Sequence, residues 1–69
     1  MWIKMHLVNS GYPVYIQSEN ICAIYACDPN SEYKGKTLVQ FVGQDNNHII
    51  VEETVEEVMD ACHFLAIFK

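Results

Sequence analysis

The cysteines and histidines are the residues of this chain with the most distinctive chemistry, and neither group has the spacing of a metal or disulfide site. The cysteines are Cys22, Cys27 and Cys62. Their odd number, without an export signal, does not predict a disulfide framework, and buried free cysteine is expected instead. The histidines are His6, His48 and His63, and no CxxC or HxxxH spacing offers two ligands to one ion. We therefore expect no disulfide and no bound metal.

Nucleophiles and carboxylates are the other groups that could support catalysis. The serines lie in predicted turns without a GxSxG context: Ser10, Ser18 and Ser31. Cys62 and His63 are adjacent, but neighbours on a helix diverge by about 100° and do not form a reactive pair. Four glutamates surround the predicted helix start: Glu52, Glu53, Glu56 and Glu57. Such carboxylates could bind a metal, but they also offset the helix dipole, which is the interpretation we favour. We expect no enzyme, no cofactor and no catalytic residues.

Charge and hydropathy exclude several classes of partner. Four Lys and Arg residues against nine Asp and Glu residues give a net charge of −5 and a pI near 4.8. This balance disfavours binding to nucleic acid or to an anionic membrane surface. The tyrosines could stack on bases, but too few cations accompany them: Tyr12, Tyr15, Tyr25 and Tyr33. No apolar run approaches the roughly 18 residues of a membrane helix, and no signal-peptide core follows Lys4, so a cytoplasmic protein is expected.

Hydrophobic periodicity predicts the elements that must position these residues. Alternation of apolar and polar residues predicts strands at about 2–8, 12–17, 21–27, 37–42 and 48–52. A helix is predicted at about 55–67, because Thr54 and Glu57 fit a capping box and an apolar stripe follows them. The stripe comprises Val55, Val58, Met59, Cys62, Leu65 and Ala66. Residues 28–36 form the longest connection and are interpreted as a mobile hairpin tip.

The short connections predict one domain, residues 1–69, of the α+β class. We expect an antiparallel five-stranded meander sheet, or a partly open small barrel, followed by one C-terminal helix. The segment 21–27 is apolar on both of its faces, which is typical of a central strand covered on two sides.

The predicted helix ends in apolar residues on nearly all sides, which suggests an interface. This surface either meets a partner or a second copy, or wraps over the sheet edge and buries itself. We expect association as a homodimer or a higher homo-oligomer, and favour a two-fold dimer, because a chain of this size has a small core. The interface is expected at the end of the helix, on the outer face of the sheet, or on both, and its candidate residues are Phe64, Leu65, Ile67, Phe68 and Tyr25.

The order of segments PVYI, ENICAI, TLVQFV and IIVEETVEEVM resembles the small bacterial FlbD/SwrD-type proteins of flagellar operons and related short phage proteins. The best match covers residues 48–59, where a V-x-E-[ST]-V-x-E-V segment leads the last strand into the helix. The resemblance implies a small cytoplasmic protein of a bacterial cell or phage-infected host that acts by binding. We therefore expect a non-enzymatic accessory or regulatory module that contacts itself and another protein. The alternative is a phage- or mobile-element-encoded inhibitor that binds a host defence protein or sequesters a small ligand.

Overall fold

Five β-strands and one α-helix make up residues 1–43 and 47–62, the part of the chain that the computed structural model describes. The elements in chain order are β1 Trp2–His6, β2 Pro13–Gln17, β3 Ile21–Ala26, β4 Thr37–Phe41, β5 His48–Val51 and α1 Val55–Ala61. A 3₁₀ turn, Ser18–Asn20, connects β2 to β3. The predicted α+β class, with one helix after the strands, is confirmed.

Strands β1 and β2 form an antiparallel hairpin that places one apolar face on the core. Ile3 lies opposite Ile16, and Met5 lies opposite Val14. Gly11 closes the turn with a φ of 74°, a conformation that suits a residue without a side chain. Pro13 stands at the start of β2, where the lack of an amide donor costs the ladder little.

The remaining strands form a three-stranded antiparallel sheet in the order β3-β4-β5. The central strand is β4, whose Thr37 and Val39 are fully buried. The prediction that segment 21–27 is the central strand was therefore wrong: within the described residues, β3 pairs with β4 alone. Its register shifts between Ile21 and Ala23, so that Cys22 forms a bulge and is exposed.

The predicted single five-stranded sheet or small barrel is also corrected. The described residues form two separate sheets, joined by one isolated bridge between Leu7 and Val51. Beside this bridge the Val8 N–H donates to the Ile50 carbonyl at 3.1 Å. The 3₁₀ turn redirects the chain between β2 and β3, so these two strands do not pair. The described chain consequently closes no barrel.

Helix α1 starts at the predicted capping box and adds its apolar stripe to the core. The Thr54 hydroxyl accepts a hydrogen bond from the Glu57 N–H at 3.1 Å, and the Glu57 carboxylate accepts one from the Thr54 N–H at 2.9 Å. The core joins both sheets and the helix: Ile3, Met5, Ile16, Val39, Val51, Val58 and Cys62. The predicted continuation of the helix through residues 63–67 lies outside the described residues.

The connection between β3 and β4 is built from consecutive hydrogen-bonded turns. The Asp28 side chain accepts from the Asn30 N–H at 2.8 Å, and the Asp28 carbonyl accepts from the Ser31 N–H at 3.0 Å. The Lys36 N–H donates to the Tyr33 carbonyl at 2.9 Å, which returns the chain to β4. These bonds all join residues within the hairpin tip.

Candidate interaction surfaces

An apolar row crosses the outer face of the three-stranded sheet. Tyr25 lies opposite Leu38, and Leu38 lies opposite Ile50, so one residue from each strand contributes to the row. The Tyr25 side chain is 53% exposed, and the other two are half-buried. The core residues from β1, β2 and α1 pack on the opposite face, around Val39. The outer face thus carries an apolar row that the core elements leave uncovered.

Charges around this apolar row are balanced or absent. The row next to it contains Ala23, Gln40 and His48 in register. On the opposite side of the apolar row from Gln40, the Lys36 ammonium pairs with the Glu52 carboxylate at 2.5 Å. No unpaired carboxylate therefore lies within these rows, although the chain as a whole carries a net charge of −5.

Strand β3 adds a free backbone edge to the same side of the molecule. Among residues 1–43 and 47–62 its ladder partner is β4, so its other edge presents unpaired backbone groups. Edge strands of this kind are templates for pairing with another chain. The bulge at Cys22 interrupts the first part of this edge and leaves the remainder, through Tyr25, regular.

A second surface is a groove beside the free edge of β2. It has a volume of about 370 Å³ and lies between β2 and the Phe41 end of the three-stranded sheet. Apolar side chains and three carboxamides form its wall: Trp2, Val14, Tyr15, Ile16, Gln17, Asn20, Phe41, Val42, Asn47 and Ile49. Trp2 and Val42 are 65% and 55% exposed, respectively, so the groove opens to solvent.

A histidine–carboxylate contact holds the two sheets together. The His6 backbone N–H donates to one Glu53 carboxylate oxygen at 3.0 Å, and the His6 Nδ1 lies 2.7 Å from the other. The Glu52 N–H donates to the His6 carbonyl at 2.8 Å, and the Thr37 hydroxyl donates to the Glu53 carbonyl at 2.7 Å. Burial raises the pKa of the Glu53 carboxyl, but the two hydrogen bonds from His6 outweigh it and hold that pKa below its ordinary value.

The glutamates near the helix start are engaged separately rather than converging on one point. Glu52 pairs with Lys36, Glu53 with His6, and Glu57 with the helix cap at Thr54. Within the described ranges 1–43 and 47–62, no three His, Cys, Asp or Glu side chains are placed to hold one metal ion.

The cysteines occupy three different environments. Cys62 is buried in the core, where burial raises the pKa of its thiol. Cys27 is half-buried, and Cys22 is exposed at the bulge, so the expectation of burial was wrong for Cys22. A bulged residue leaves the alternation of its strand, which the sequence pattern does not reveal.

Of the predicted interface residues, the structure describes Tyr25, which lies in the apolar row. The other four are outside the described residues: Phe64, Leu65, Ile67 and Phe68. Sequence reasoning missed the contacts of His6 with Glu53 and of Lys36 with Glu52. The contact of Lys36 with Glu52 follows from the strand register. Thr37 lies opposite Val51 in an antiparallel pair, so the next residues outward, Lys36 and Glu52, also lie opposite each other.

Comparison with models of protein families, with curated proteins and with solved structures finds no match to this chain. No helix within residues 1–43 and 47–62 combines the length and the apolar character that crossing a bilayer requires.

Proposed function

We propose that this chain is a small, non-enzymatic protein-interaction module that acts as a homodimer. The observation that carries the proposal is the apolar row of Tyr25, Leu38 and Ile50, which the described core elements leave uncovered. An apolar row across a sheet face, beside an open strand edge, is typical of a surface that meets another protein.

Charge favours a second copy as the occupant of this face. Each copy carries a net charge of −5, so association through its acidic parts would be repulsive. The apolar row avoids this repulsion, because the Glu52 carboxylate beside it is paired with Lys36. Two copies can therefore bring their Tyr25 rows together without opposing like charges.

The open edge of β3 supplies a second element of the same contact. If two β3 edges pair about a two-fold axis, the two sheets join and the two apolar rows become continuous. Such pairing closes both β3 edges at once.

The resemblance to FlbD/SwrD-type proteins supports the same type of function, a small accessory or regulatory protein that acts through binding. Under this proposal the dimer is the form that presents its remaining surface to another protein of the cell.

Light scattering or sedimentation equilibrium at micromolar concentration tests the proposal. We expect a mass about twice the 7.9 kDa of one chain. Tyr25→Glu should shift the protein to the monomer, because it places a carboxylate at the β3 end of each apolar row, where the two rows would meet.

The matched control is Tyr12→Glu, which adds the same charge at an exposed position before β2. It should leave the dimer intact. A single-chain mass for the unmodified protein, or equal dissociation by both variants, would reject the proposal.

A further inference from the structure

The groove beside β2 lies next to backbone groups that point away from the hairpin. The Ser18 N–H donates to the Met1 carbonyl at 2.8 Å, and the Leu7 N–H donates to the Tyr12 carbonyl at 2.9 Å. In an antiparallel hairpin, hydrogen-bonded residue pairs alternate with pairs that are not hydrogen-bonded, and these two bonds show which pairs are which. Val14 and Ile16 therefore direct their backbone groups to β1, and Tyr15 directs its N–H and C=O outward.

Tyr15 thus offers one donor and one acceptor on the free edge of β2. Within residues 1–43 and 47–62, neither group has a backbone partner on this side. Pro13, two residues earlier, has no N–H to offer, so an incoming strand would be hydrogen-bonded around Tyr15. This is the arrangement by which an exposed sheet edge accepts an added strand.

The side chains that line the groove determine which kind of added strand can bind there. None of its ten lining residues is an acid, a lysine, an arginine or a histidine. Trp2, Phe41 and Val42 offer apolar contact. The Gln17 Oε1 accepts from the N-terminal ammonium and the Asn47 Nδ2 donates to the Val42 carbonyl. The Asn20 carboxamide, the Gln17 NH2 group and the Asn47 Oδ1 can bond to a backbone. A charged side chain would lose water here without gaining an ionic partner among the lining residues.

We propose that this groove binds an extended, non-acidic peptide segment of a partner protein, with apolar side chains at alternate positions, as an added strand on β2. The net charge of −5 disfavours an acidic segment. The site is separate from the Tyr25 row, so this proposal does not depend on the proposed homodimer and either one can fail alone.

The experiment uses the full chain and four capped seven-residue peptides. In each peptide threonine alternates with valine, isoleucine, leucine or phenylalanine, and a lysine stands at one end. The single tryptophan of the chain, Trp2, reports on occupation of the groove, because its side chain is 65% exposed in the free protein. We expect at least one peptide to give a saturable blue shift of the Trp2 emission and to slow the exchange of the Tyr15 amide.

Loss of the peptide's donors tests the backbone part of the proposal. The same peptide with its amides N-methylated keeps the side chains but cannot pair with β2. Its binding should be weaker by up to about tenfold, as loss of the hydrogen bond to the Tyr15 carbonyl predicts.

Two pairs of variants test the protein side, each checked for an unchanged thermal melt. Tyr15→Pro removes the outward N–H at an edge position where proline is tolerated, and Tyr15→Thr keeps it. Val42→Glu places a carboxylate in the groove, and Tyr12→Glu places one outside it. Tyr15→Pro and Val42→Glu should each weaken binding about tenfold relative to their matched controls.

Four outcomes would overturn the proposal. One is the absence of a saturable change with all four peptides, and another is equal binding by Tyr15→Pro and Tyr15→Thr. The third is a Tyr15 amide already protected from exchange in the free chain, because the edge would then be filled by the chain itself. The fourth is a shift of Trp2 emission when the protein alone is concentrated, because a second copy would then occupy the groove.

Discussion

At the scale of single residues, the contact between His6 and Glu53 links the hairpin to the segment between β5 and α1. Glu53 receives hydrogen bonds from both the backbone and the ring of His6, and its own carbonyl accepts from Thr37. One glutamate thus connects the hairpin, the central strand β4 and the start of α1. The contact lies where a single bridge joins the two sheets.

The depressed pKa of Glu53 makes this contact sensitive to acid. Its ordinary value is about 4.5, and hydrogen bonds from His6 lower it in the folded chain. Because the folded pKa is below the unfolded one, ionised Glu53 stabilises the fold above about pH 4.5. This stabilisation is lost as the pH falls from there through the folded value.

Glu53→Gln should therefore reduce the free energy of unfolding by about 1 kcal/mol at pH 7, and by less at acidic pH. Urea denaturation at pH 7 and near pH 4 measures both values. The control is Glu32→Gln, at an exposed position of the hairpin tip. An unchanged stability at pH 7, or the same loss at both pH values, would show that Glu53 is not ionised and paired as described.

At the scale of elements, helix α1 depends on its first turn. The described helix has seven residues, Val55–Ala61, and a helix this short is marginal without capping and packing. Thr54 and Glu57 satisfy two otherwise free N–H groups at its start. Glu56 and Glu57 also lie at the positive end of the helix dipole.

Thr54→Ala should lower the free energy of unfolding by about 1 kcal/mol, because the Glu57 N–H loses its partner. Thr54→Ser keeps the hydroxyl and should recover most of that loss. The urea midpoints of the two variants and of the parent chain measure the effect. If Ala and Ser were equally destabilising, the methyl group of Thr54 rather than its cap would be responsible.

Sequence patterns predicted the elements better than their arrangement. The capping box, the turn at Gly11 and the entry of Pro13 into β2 are local features, and the structure contains all three. The place of β3 at the edge of its sheet could not be predicted from local patterns. A strand that is apolar on both faces can lie at the centre of a sheet or at its edge. The bulge at Cys22 is set by the pairing with β4, which alternation alone does not encode.

At the scale of the whole molecule, two kinds of open surface remain on a small core. Seven apolar residues of the described ranges are buried in the core, and a domain of this size has little stability to spare. The division into two sheets places the free edges of β2 and β3 on different sheets. The sequence pattern predicted an interface on the outer face through Tyr25, but not the groove at β2. That groove arises from the gap between sheets that the sequence suggested were one.

The distribution of charge predicts how the proposed dimer responds to salt. Each copy carries a net charge of −5, while the Tyr25 row and its neighbours are neutral or paired. Salt screens the repulsion between the copies, over about 10 Å at 0.1 M ionic strength, and leaves an apolar contact intact. Raising the ionic strength from low values to about 0.5 M should therefore leave the dimer dissociation constant unchanged or decrease it.

Sedimentation equilibrium across this range measures the effect, with Tyr25→Glu remaining more dissociated than the parent chain throughout. Dissociation of the parent dimer by added salt would instead mean that ion pairs hold the two copies together, and the apolar row would not be the interface.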